Sequence, residues 1–162
     1  RVVPPLAGHH PLPSLMLTDL LTHYGATGMF AAAFLAGSFF PFSSEAVLLA
    51  LLAAGAPPEA LLLSATAGNT LGSLCNYGVG ALGREEWITR YTKVSPEKLE
   101  RGKRWVRRYG AWAGLLAWLP LLGSVITVAM GFLRVPLVYG MVLIGLGKYV
   151  RYWIIVRCWI AV

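Results

Sequence analysis

The sequence predicts an all-α polytopic membrane protein made of two inverted halves, each a proline-broken re-entrant helical hairpin followed by a transmembrane helix. Three observations carry that prediction. The 162 residues are 57% hydrophobic and 13% charged, with a mean hydropathy of +0.63, which is typical of integral membrane proteins. Two apolar stretches are each interrupted by a proline, Pro41 and Pro120. Charged residues are concentrated in one segment, 84–108, which separates the two halves.

The chain divides into a short leader and one membrane domain. Residues 1–14 are expected to be a flexible leader upstream of a start at Met16, because they are rich in proline and contain no apolar core long enough for a signal peptide. A length of 162 residues leaves no room for a second, soluble domain beside 15–162. The membrane domain consists of two halves and a basic loop that joins them: 15–83, 109–162 and 84–108.

The stretch around Pro41 predicts the centre of the first hairpin. Proline has no backbone N–H to donate and clashes with the preceding turn, so a helix is expected to stop or kink there. Ser43, Ser44 and Glu45 then offer cap and first-turn chemistry for a new helix. In lipid such a break is tolerated only where the backbone is buried in protein or lines a wet cavity, and an ionisable group at that depth indicates a functional site. The alternative is a solvated carboxylate in a loop between two helices.

The apolar pieces on either side of this break are too short to cross a bilayer. A short amphipathic helix is expected over 15–24, lying at the membrane interface. The next helix, 25–39, rises about 22 Å, against about 30 Å for the hydrocarbon core. The piece after the break, 46–56, is shorter still. Two short helices around one break favour a re-entrant hairpin over two full spans.

A full-length span is predicted over 60–83. A row of mostly small residues recurs at every fourth position of this span: Gly68, Gly72, Asn76 and Gly80. Such a row lets a neighbouring helix approach closely. Asn69, Asn76 and Ser73 can form hydrogen bonds across that contact, and the two asparagines are candidates for a polar pathway through the membrane. Packing alone is the alternative.

The charged segment 84–108 holds nine Lys or Arg residues and four Glu residues, a difference of +5. The positive-inside rule predicts that it lies on the cytoplasmic side. Its basic residues can contact anionic headgroups, and solvated charge is the simpler alternative. A helix is expected to start at Ser95-Pro96-Glu97 and to carry a modest apolar face. Because this one membrane-flanking segment supplies most of the net charge of +7, a basic loop beside the membrane explains that charge better than a nucleic-acid groove, and nucleic acid is not expected as a partner.

The second half repeats the plan of the first. An apolar helix is expected to break at Pro120, to continue past Ser124 and to lead into a last span over 136–162. Inside that span Lys148 and Arg151 lie three residues apart on one helix face, with Lys148 near the middle of the membrane. Broken helices in corresponding positions of two inverted halves indicate a transport site near the midplane. Two independent proline kinks are the alternative explanation.

Several short motifs occur in a characteristic order between residues 24 and 156. They are Phe40-Pro41 with Ser44-Glu45 and Gly55, Thr66-Ala67-Gly68-Asn69 with Leu71-Gly72, Arg108-Tyr109-Gly110, Trp118-Leu119-Pro120 with Gly123, Ala129-Met130-Gly131, and Gly147-Lys148 with Arg151-Tyr152. In this order and spacing they resemble the DedA superfamily, also called the SNARE-associated or VTT-domain membrane proteins, and most closely its small YqaA-type branch.

The resemblance implies two oppositely inserted re-entrant hairpins in a multi-pass protein of the bacterial inner membrane. It also implies a role in moving lipids, such as undecaprenyl phosphate or phospholipids, between leaflets, with coupling to a proton gradient in some branches. The acidic position of the family falls on Glu45. The arginines and the acidic residue that relatives carry around the second proline are replaced here by Trp118 and Ser124.

The sequence therefore favours a lipid transporter or scramblase. Glu45 is expected to pair with Lys148 or Arg151, because a lone carboxylate in hydrocarbon is costly, and the remaining positive charge suits an anionic phosphate headgroup. The candidate pathway residues are Glu45, Ser44, Asn69, Asn76, Ser124, Lys148 and Arg151, with Pro41 and Pro120 as the helix breaks. The expected partners are membrane lipids, with protons and a second copy of the chain as further options, and neither a cofactor nor a metal is expected.

Two other classes of protein are alternatives to a transporter. In a non-transporting membrane-organising or assembly protein, the same charges would only lock helices together, and the site would be dry instead of open to water. An intramembrane enzyme is not expected, because all three histidines precede the first apolar segment. Ser43, Ser44, Cys75 and Tyr77 have no evident activating partner in the sequence.

Overall fold

The computed structural model describes residues 13–38, 40, 43–92, 94–119 and 122–161, and within these ranges the only regular elements are helices. In chain order they are α1 (Pro13–Gly37), α2 (Ser44–Ala53), α3 (Pro58–Ala81), α4 (Glu85–Thr92), α5 (Pro96–Tyr109), a 3₁₀ helix (Gly110–Trp118), α6 (Leu122–Phe132) and α7 (Leu137–Ala161). The all-α class predicted from the sequence is confirmed.

The two longest helices of the later chain, α3 and α7, lie where the sequence predicts full spans, over 60–83 and 136–162. In the part of the chain that the structure describes, none of the helices combines the length and the apolar character that crossing a bilayer requires.

The first helix differs from the prediction. α1 runs without a break from Pro13 to Gly37, so the predicted division into an interfacial helix over 15–24 and a separate helix over 25–39 is wrong. The physical reason is that no proline interrupts this stretch, and Gly25, at the predicted boundary, is buried against the end of α2 while remaining helical. The helix also begins two residues inside the predicted leader, of which residues 1–12 lie outside the described ranges.

Both predicted breaks coincide with helix ends. α1 ends at Gly37 and α2 begins at Ser44, with Ser43 as the N-cap whose hydroxyl accepts a hydrogen bond from the backbone N–H of Ala46 at 3.4 Å. Glu45 lies in the first turn, as the cap chemistry predicted. The segment before the second break is a 3₁₀ helix instead of the expected apolar α-helix. Pro41 and Pro120 themselves lie outside the described residues.

The two halves share an order of elements. Each has a helix, a break, a short helix of 10 or 11 residues and a long helix of 24 or 25 residues. A tight turn with a residue at positive φ follows each short helix, Gly55 at +88° and Arg134 at +53°. Within each half the first helix packs on the long one, α1 on α3 and the 3₁₀ helix on α7. The long helix α3 also contacts α6 and α7, and thereby joins the halves.

The small-residue row of α3 packs against two different helices. Gly68 and Gly72 lie directly on the backbone of α1, where a Cβ at either position would collide with the carbonyl of Phe30 or Phe34. At the other end of α3, Gly80 lies on the backbone of Val128 in α6. The close helix approach that the row predicted is therefore present on two sides of α3.

The segment 84–108 folds into two helices instead of an open basic loop. Ser95 caps α5 by accepting a hydrogen bond from the backbone N–H of Lys98 at 3.4 Å, so the predicted helix start is confirmed. A buried stripe along α5, formed by Leu99, Gly102 and Val106, packs on α6 and the 3₁₀ helix. The alternative of solvated charge therefore does not hold for every charged residue of this segment, because Lys103 is buried.

Candidate functional site

An open cavity of about 1000 Å³ lies where the two breaks meet α3, α5 and α7. The structure places six of the seven predicted pathway residues on its wall: Ser44, Glu45, Asn69, Ser124, Lys148 and Arg151. The residues come from α2, α3, α6 and α7, so the site exists only in the folded chain. Both halves contribute to it, because the first turns of α2 and α6 line the same space.

Glu45 is paired with Arg151, one of the two partners that the sequence left open. The ion pair joins Glu45 Oε1 to Arg151 Nη2, and about a quarter of each side chain is exposed to solvent. Ser43 Oγ donates a hydrogen bond to the other carboxylate oxygen at 3.1 Å. Arg151 Nη1 also donates to the backbone carbonyl of Trp118 at 3.0 Å. Arg151 thus connects α7 to the first break and to the end of the 3₁₀ helix.

Lys148 is the buried cation of the site, with 6% of its surface exposed. Its ammonium donates to the backbone carbonyl of Asn69 at 2.8 Å, to the side-chain carbonyl of Asn69 and to the hydroxyl of Ser73. An ammonium has three hydrogens to donate, and these three acceptors are all neutral. Among the described residues no carboxylate forms an ion pair with Lys148. Its charge is therefore hydrogen-bonded but not neutralised.

Tyr152 links the first turn of α2 to the contact between Lys148 and Asn69. Its hydroxyl shares a hydrogen bond of 2.7 Å with Ser44 Oγ and accepts another from Asn69 Nδ2 at 2.7 Å. The side chain is almost completely buried, at 1% exposure. Asn69 therefore accepts from Lys148 with its oxygen and donates to Tyr152 with its nitrogen. The candidate list omitted Tyr152, although its position four residues after Lys148 on the same helix face was a signal.

Asn76, the seventh predicted residue, is placed elsewhere. It lies outside the cavity wall and donates from Nδ2 to the backbone carbonyl of Gly37 at 2.9 Å and to that of Ser38 at 3.4 Å. These carbonyls stand at the C-terminal end of α1, where the helix leaves them without intrahelical partners. Asn76 thus stabilises the C-terminal end of α1, next to the first break, from a position outside the cavity.

The basic helix α5 also borders the cavity, which the sequence did not indicate. Lys98, Arg101 and Trp105 line one side of it. Among the residues that the structure describes, the charged side chains of the wall are four cations and one carboxylate: Lys98, Arg101, Lys148, Arg151 and Glu45. Local sequence patterns could not predict this position of α5, because it depends on how α5 packs against α6 in the folded chain. Such a wall favours an anionic ligand.

The described residues offer no group of three or more His, Cys, Asp or Glu side chains that could hold a metal ion. The described wall of the cavity contains guanidinium and ammonium groups, one carboxylate, the Asn69 amide and hydroxyls around an open space. These groups can bind a phosphate or a carboxylate through charge-assisted hydrogen bonds.

Comparison with known proteins places these residues in a family. The family model described as the VTT domain matches residues 40–159. A protein of Haemophilus influenzae, named only as uncharacterized, is 39% identical, with 76% of this chain and 80% of that protein covered. The inner membrane protein YqaA of Escherichia coli is 34% identical, with 76% of this chain and 83% of YqaA covered. Shigella flexneri has a protein of the same name with the same values. No solved structure matches the chain.

Proposed function

This chain belongs to the VTT-domain family, within the DedA superfamily, and we propose that it is a multi-pass protein of the bacterial inner membrane that moves anionic lipids between the two leaflets. The substrate class is a phospholipid or a polyprenyl phosphate, whose common feature is a negatively charged phosphate. The inner-membrane location is supported by the similarity to YqaA.

The observation that carries the proposal is the buried amino group of Lys148 at the cavity wall, which has no carboxylate partner among the described residues. Burying a cation without a counter-ion is costly, and neutral oxygens offset only part of that cost. A phosphate in the cavity would supply the missing negative charge. The described wall carries four cations and one carboxylate, and this positive balance also favours binding of a phosphate. Lys148 would bind the phosphate as a point charge, whereas Arg151 can bind it through two parallel hydrogen bonds.

The arrangement of the breaks supports two inverted re-entrant hairpins. The order of elements recurs in both halves, and the first turns of α2 and α6 face one cavity. In transporters built from inverted repeats, the substrate site lies where the broken helices meet, near the middle of the membrane. The cavity corresponds to that position in this proposal.

Proton coupling would act through the ion pair of Glu45 and Arg151. When Glu45 binds a proton it loses its negative charge, and its attraction for Arg151 falls to that of a neutral hydrogen bond. Arg151 is then available to the phosphate of a lipid. Transport in this scheme alternates between a closed pair and a lipid-bound arginine, with one proton taken up for each opening.

One observation favours a second candidate, a membrane-organising protein without transport. The ion pair of Glu45 and Arg151 ties α2 to α7, and Asn69 ties α3 to α7 through Lys148 and Tyr152, which is what a structural lock requires. The two candidates differ in water access. A membrane-impermeant thiol reagent should react with Ser124→Cys, in a chain whose Cys75 and Cys158 are replaced by alanine, if the cavity is an open pathway. The lock requires that this position stays unreactive.

The proposal is tested by lipid translocation in proteoliposomes that contain the full chain. Labelled phosphatidylglycerol and phosphatidylcholine are followed with and without a pH gradient, for the wild type, Glu45→Gln and Glu59→Gln. Glu59 is an exposed carboxylate in the first turn of α3 and is the matched control. We expect the wild type and Glu59→Gln to move phosphatidylglycerol and Glu45→Gln to lose this activity. A wild type that moves neither lipid under either condition would favour the lock.

A further inference from the structure

We propose that the α5 side of the cavity is a second subsite for anionic lipids, in which Lys98 and Arg101 bind the phosphate of a headgroup and Trp105 contacts its apolar part. We call these three residues the α5 subsite. The inference extends the proposed function by adding a second position that binds the lipid, separate from Lys148. It relies on that function only for the identification of the ligand as a lipid.

The position of α5 against the cavity is fixed by close packing. Gly102 lies on α6, where an added Cβ would be 2.9 Å from Val125 Cγ1 and 3.2 Å from Ala129 Cβ. Leu99 and Val106, one turn on either side of Gly102, are buried at 1% and 2% exposure. With this stripe held on α6, the neighbouring face of α5 borders the cavity. The α5 subsite is therefore part of the folded wall.

The two cations of the α5 subsite are free to bind an anion. Lys98 and Arg101 are three residues apart, so they are neighbours on the helix surface. Both are exposed, and in the described ranges neither forms an ion pair. Of the acids near them, Glu85 and Glu100 are bound to Lys103, at 2.7 and 2.8 Å, and Glu97 forms no ion pair within the described ranges. The hydrogen bond from Lys103 and the charge of Lys103 lower the pKa of Glu100. This favours the ionised carboxylate that binds Lys103.

Trp105 favours a lipid over free phosphate as the ligand. It lies one turn after Arg101, lines the cavity and is 44% exposed. Its ring is held by Tyr109, with the two ring centroids 5.6 Å apart. A large apolar surface beside two cations suits a molecule that carries both a phosphate and hydrocarbon, and tryptophan is enriched where membrane proteins meet the headgroup region. Inorganic phosphate would use only the cations.

The test is a binding measurement that needs no transport. The full chain in detergent micelles is titrated calorimetrically with dioctanoyl phosphatidate, dioctanoyl phosphatidylcholine and inorganic phosphate. The double variant Lys98→Gln/Arg101→Gln is compared with Arg104→Gln/Arg107→Gln, which removes the same charge from exposed positions of the same helix that do not line the cavity. A third variant, Trp105→Ala, removes the apolar contact.

We expect phosphatidate to bind the wild type more tightly than the other two probes. Its affinity should fall about tenfold in Lys98→Gln/Arg101→Gln and less than about twofold in the matched control. Trp105→Ala should weaken phosphatidate and leave inorganic phosphate unchanged. An equal loss in both double variants would overturn the subsite, because it would show attraction by net charge alone. Equal binding of inorganic phosphate and phosphatidate would overturn the assignment to lipid.

This experiment separates the subsite from the proposed function. If the wild type binds phosphatidate through Lys98 and Arg101 but moves no lipid in proteoliposomes, the subsite stands and transport fails. If the wild type moves lipid and the double variant binds phosphatidate as tightly as the wild type, transport stands and the subsite fails.

Discussion

Arg151 of α7 is ion-paired with Glu45 in the first turn of α2, and the adjacent Tyr152 shares a hydrogen bond with the adjacent Ser44. Two consecutive residues of one helix thus meet two consecutive residues of another, from opposite halves of the chain. The pairing fixes the first turn of α2 against α7, and it places the carboxylate beside the cavity that Lys148 also borders.

The ion pair of Glu45 and Arg151 should show strong coupling in a double-mutant cycle. Glu45→Gln and Arg151→Gln each leave a partly buried charge unpaired, so we expect each to lower the free energy of unfolding by about 1–2 kcal/mol. The double variant should lose at least about 1 kcal/mol less than the sum of the two. Unfolding in detergent micelles measures this. The exposed residues Glu59 and Arg157 supply the control cycle, which should be additive within about 0.5 kcal/mol, and equal coupling in both cycles would contradict the pair.

Tyr152→Phe should destabilise the protein without changing its shape. The variant leaves the buried hydroxyl of Ser44 and the Asn69 amide nitrogen without the partner that each has in the wild type, which costs about 1–3 kcal/mol. Thermal unfolding should shift downward by several degrees. Tyr139→Phe, at a side chain that is 71% exposed on the same helix, is the matched control and should shift little. Equal shifts in the two variants would show that the hydroxyl of Tyr152 is not part of a buried network.

Gly80→Ala should force α3 and α6 apart. A Cβ at Gly80 would collide with the backbone carbonyl of Val128, and a backbone cannot move aside as a flexible side chain can. Overpacking of this kind costs about 1–3 kcal/mol, with a matching fall in thermal stability. Gly78→Ala is the control, because nothing lies within 4 Å of its Cβ position and alanine is the better helix former there. A Gly80→Ala protein as stable as Gly78→Ala would contradict the close contact.

Lys103 should hold α4 and α5 onto α6. Its ammonium binds Glu85 and Glu100 and lies 3.8 Å from the ring centroid of Phe132. Lys103→Met should therefore speed amide exchange in α4 and α5, whereas Arg104→Met, at an exposed neighbour, should not. Exchange rates that are the same in both variants would show that the cluster does not hold these helices.

The same contact predicts a pH dependence with a definite sign. Burial lowers the pKa of Lys103, but its hydrogen bonds to Glu100 and Glu85 and the negative charges of these two carboxylates together outweigh burial, and the net pKa is raised above 10.5. That contribution is present below pH 10.5 and is lost as the pH rises through the folded pKa. The pKa of Glu100 is lowered from 4.5, so its contribution is present above pH 4.5 and is lost as the pH falls through the folded pKa. Acidification below pH 4.5 should therefore speed amide exchange in α5 of the wild type and have little further effect in Lys103→Met.

Local chemistry made part of this fold predictable from the sequence. The caps at Ser43 and Ser95 depend on residues within one turn, and both occur as expected. Lys148 and Arg151 share a helix face because of the α-helical period, which the sequence also reveals. The two proline breaks led us to expect the candidate residues at one place, and six of the seven line one cavity.

Features that depend on distant contacts were not predictable. Gly25 looked like a boundary because local composition changes there, but its packing against the end of α2 is compatible with an unbroken helix. The place of Lys98 and Arg101 at the cavity depends on Gly102 fitting against α6, which no local pattern expresses. Asn76 looked like a pathway residue by composition, and only the position of Gly37 and Ser38 in space shows that it binds the end of α1.

The central claim is that Lys148 recognises the negative charge of a lipid, and a selectivity ratio tests it most directly. Proteoliposomes with wild type, Lys148→Met or Arg157→Met are compared by the rate at which each moves labelled phosphatidylglycerol relative to phosphatidylcholine. Arg157 is an exposed cation of the same helix and controls for loss of one charge from α7. We expect wild type and Arg157→Met to prefer phosphatidylglycerol, and Lys148→Met to lose at least about tenfold of that preference. An unchanged ratio in Lys148→Met, in a protein that still moves lipid, would contradict the claim.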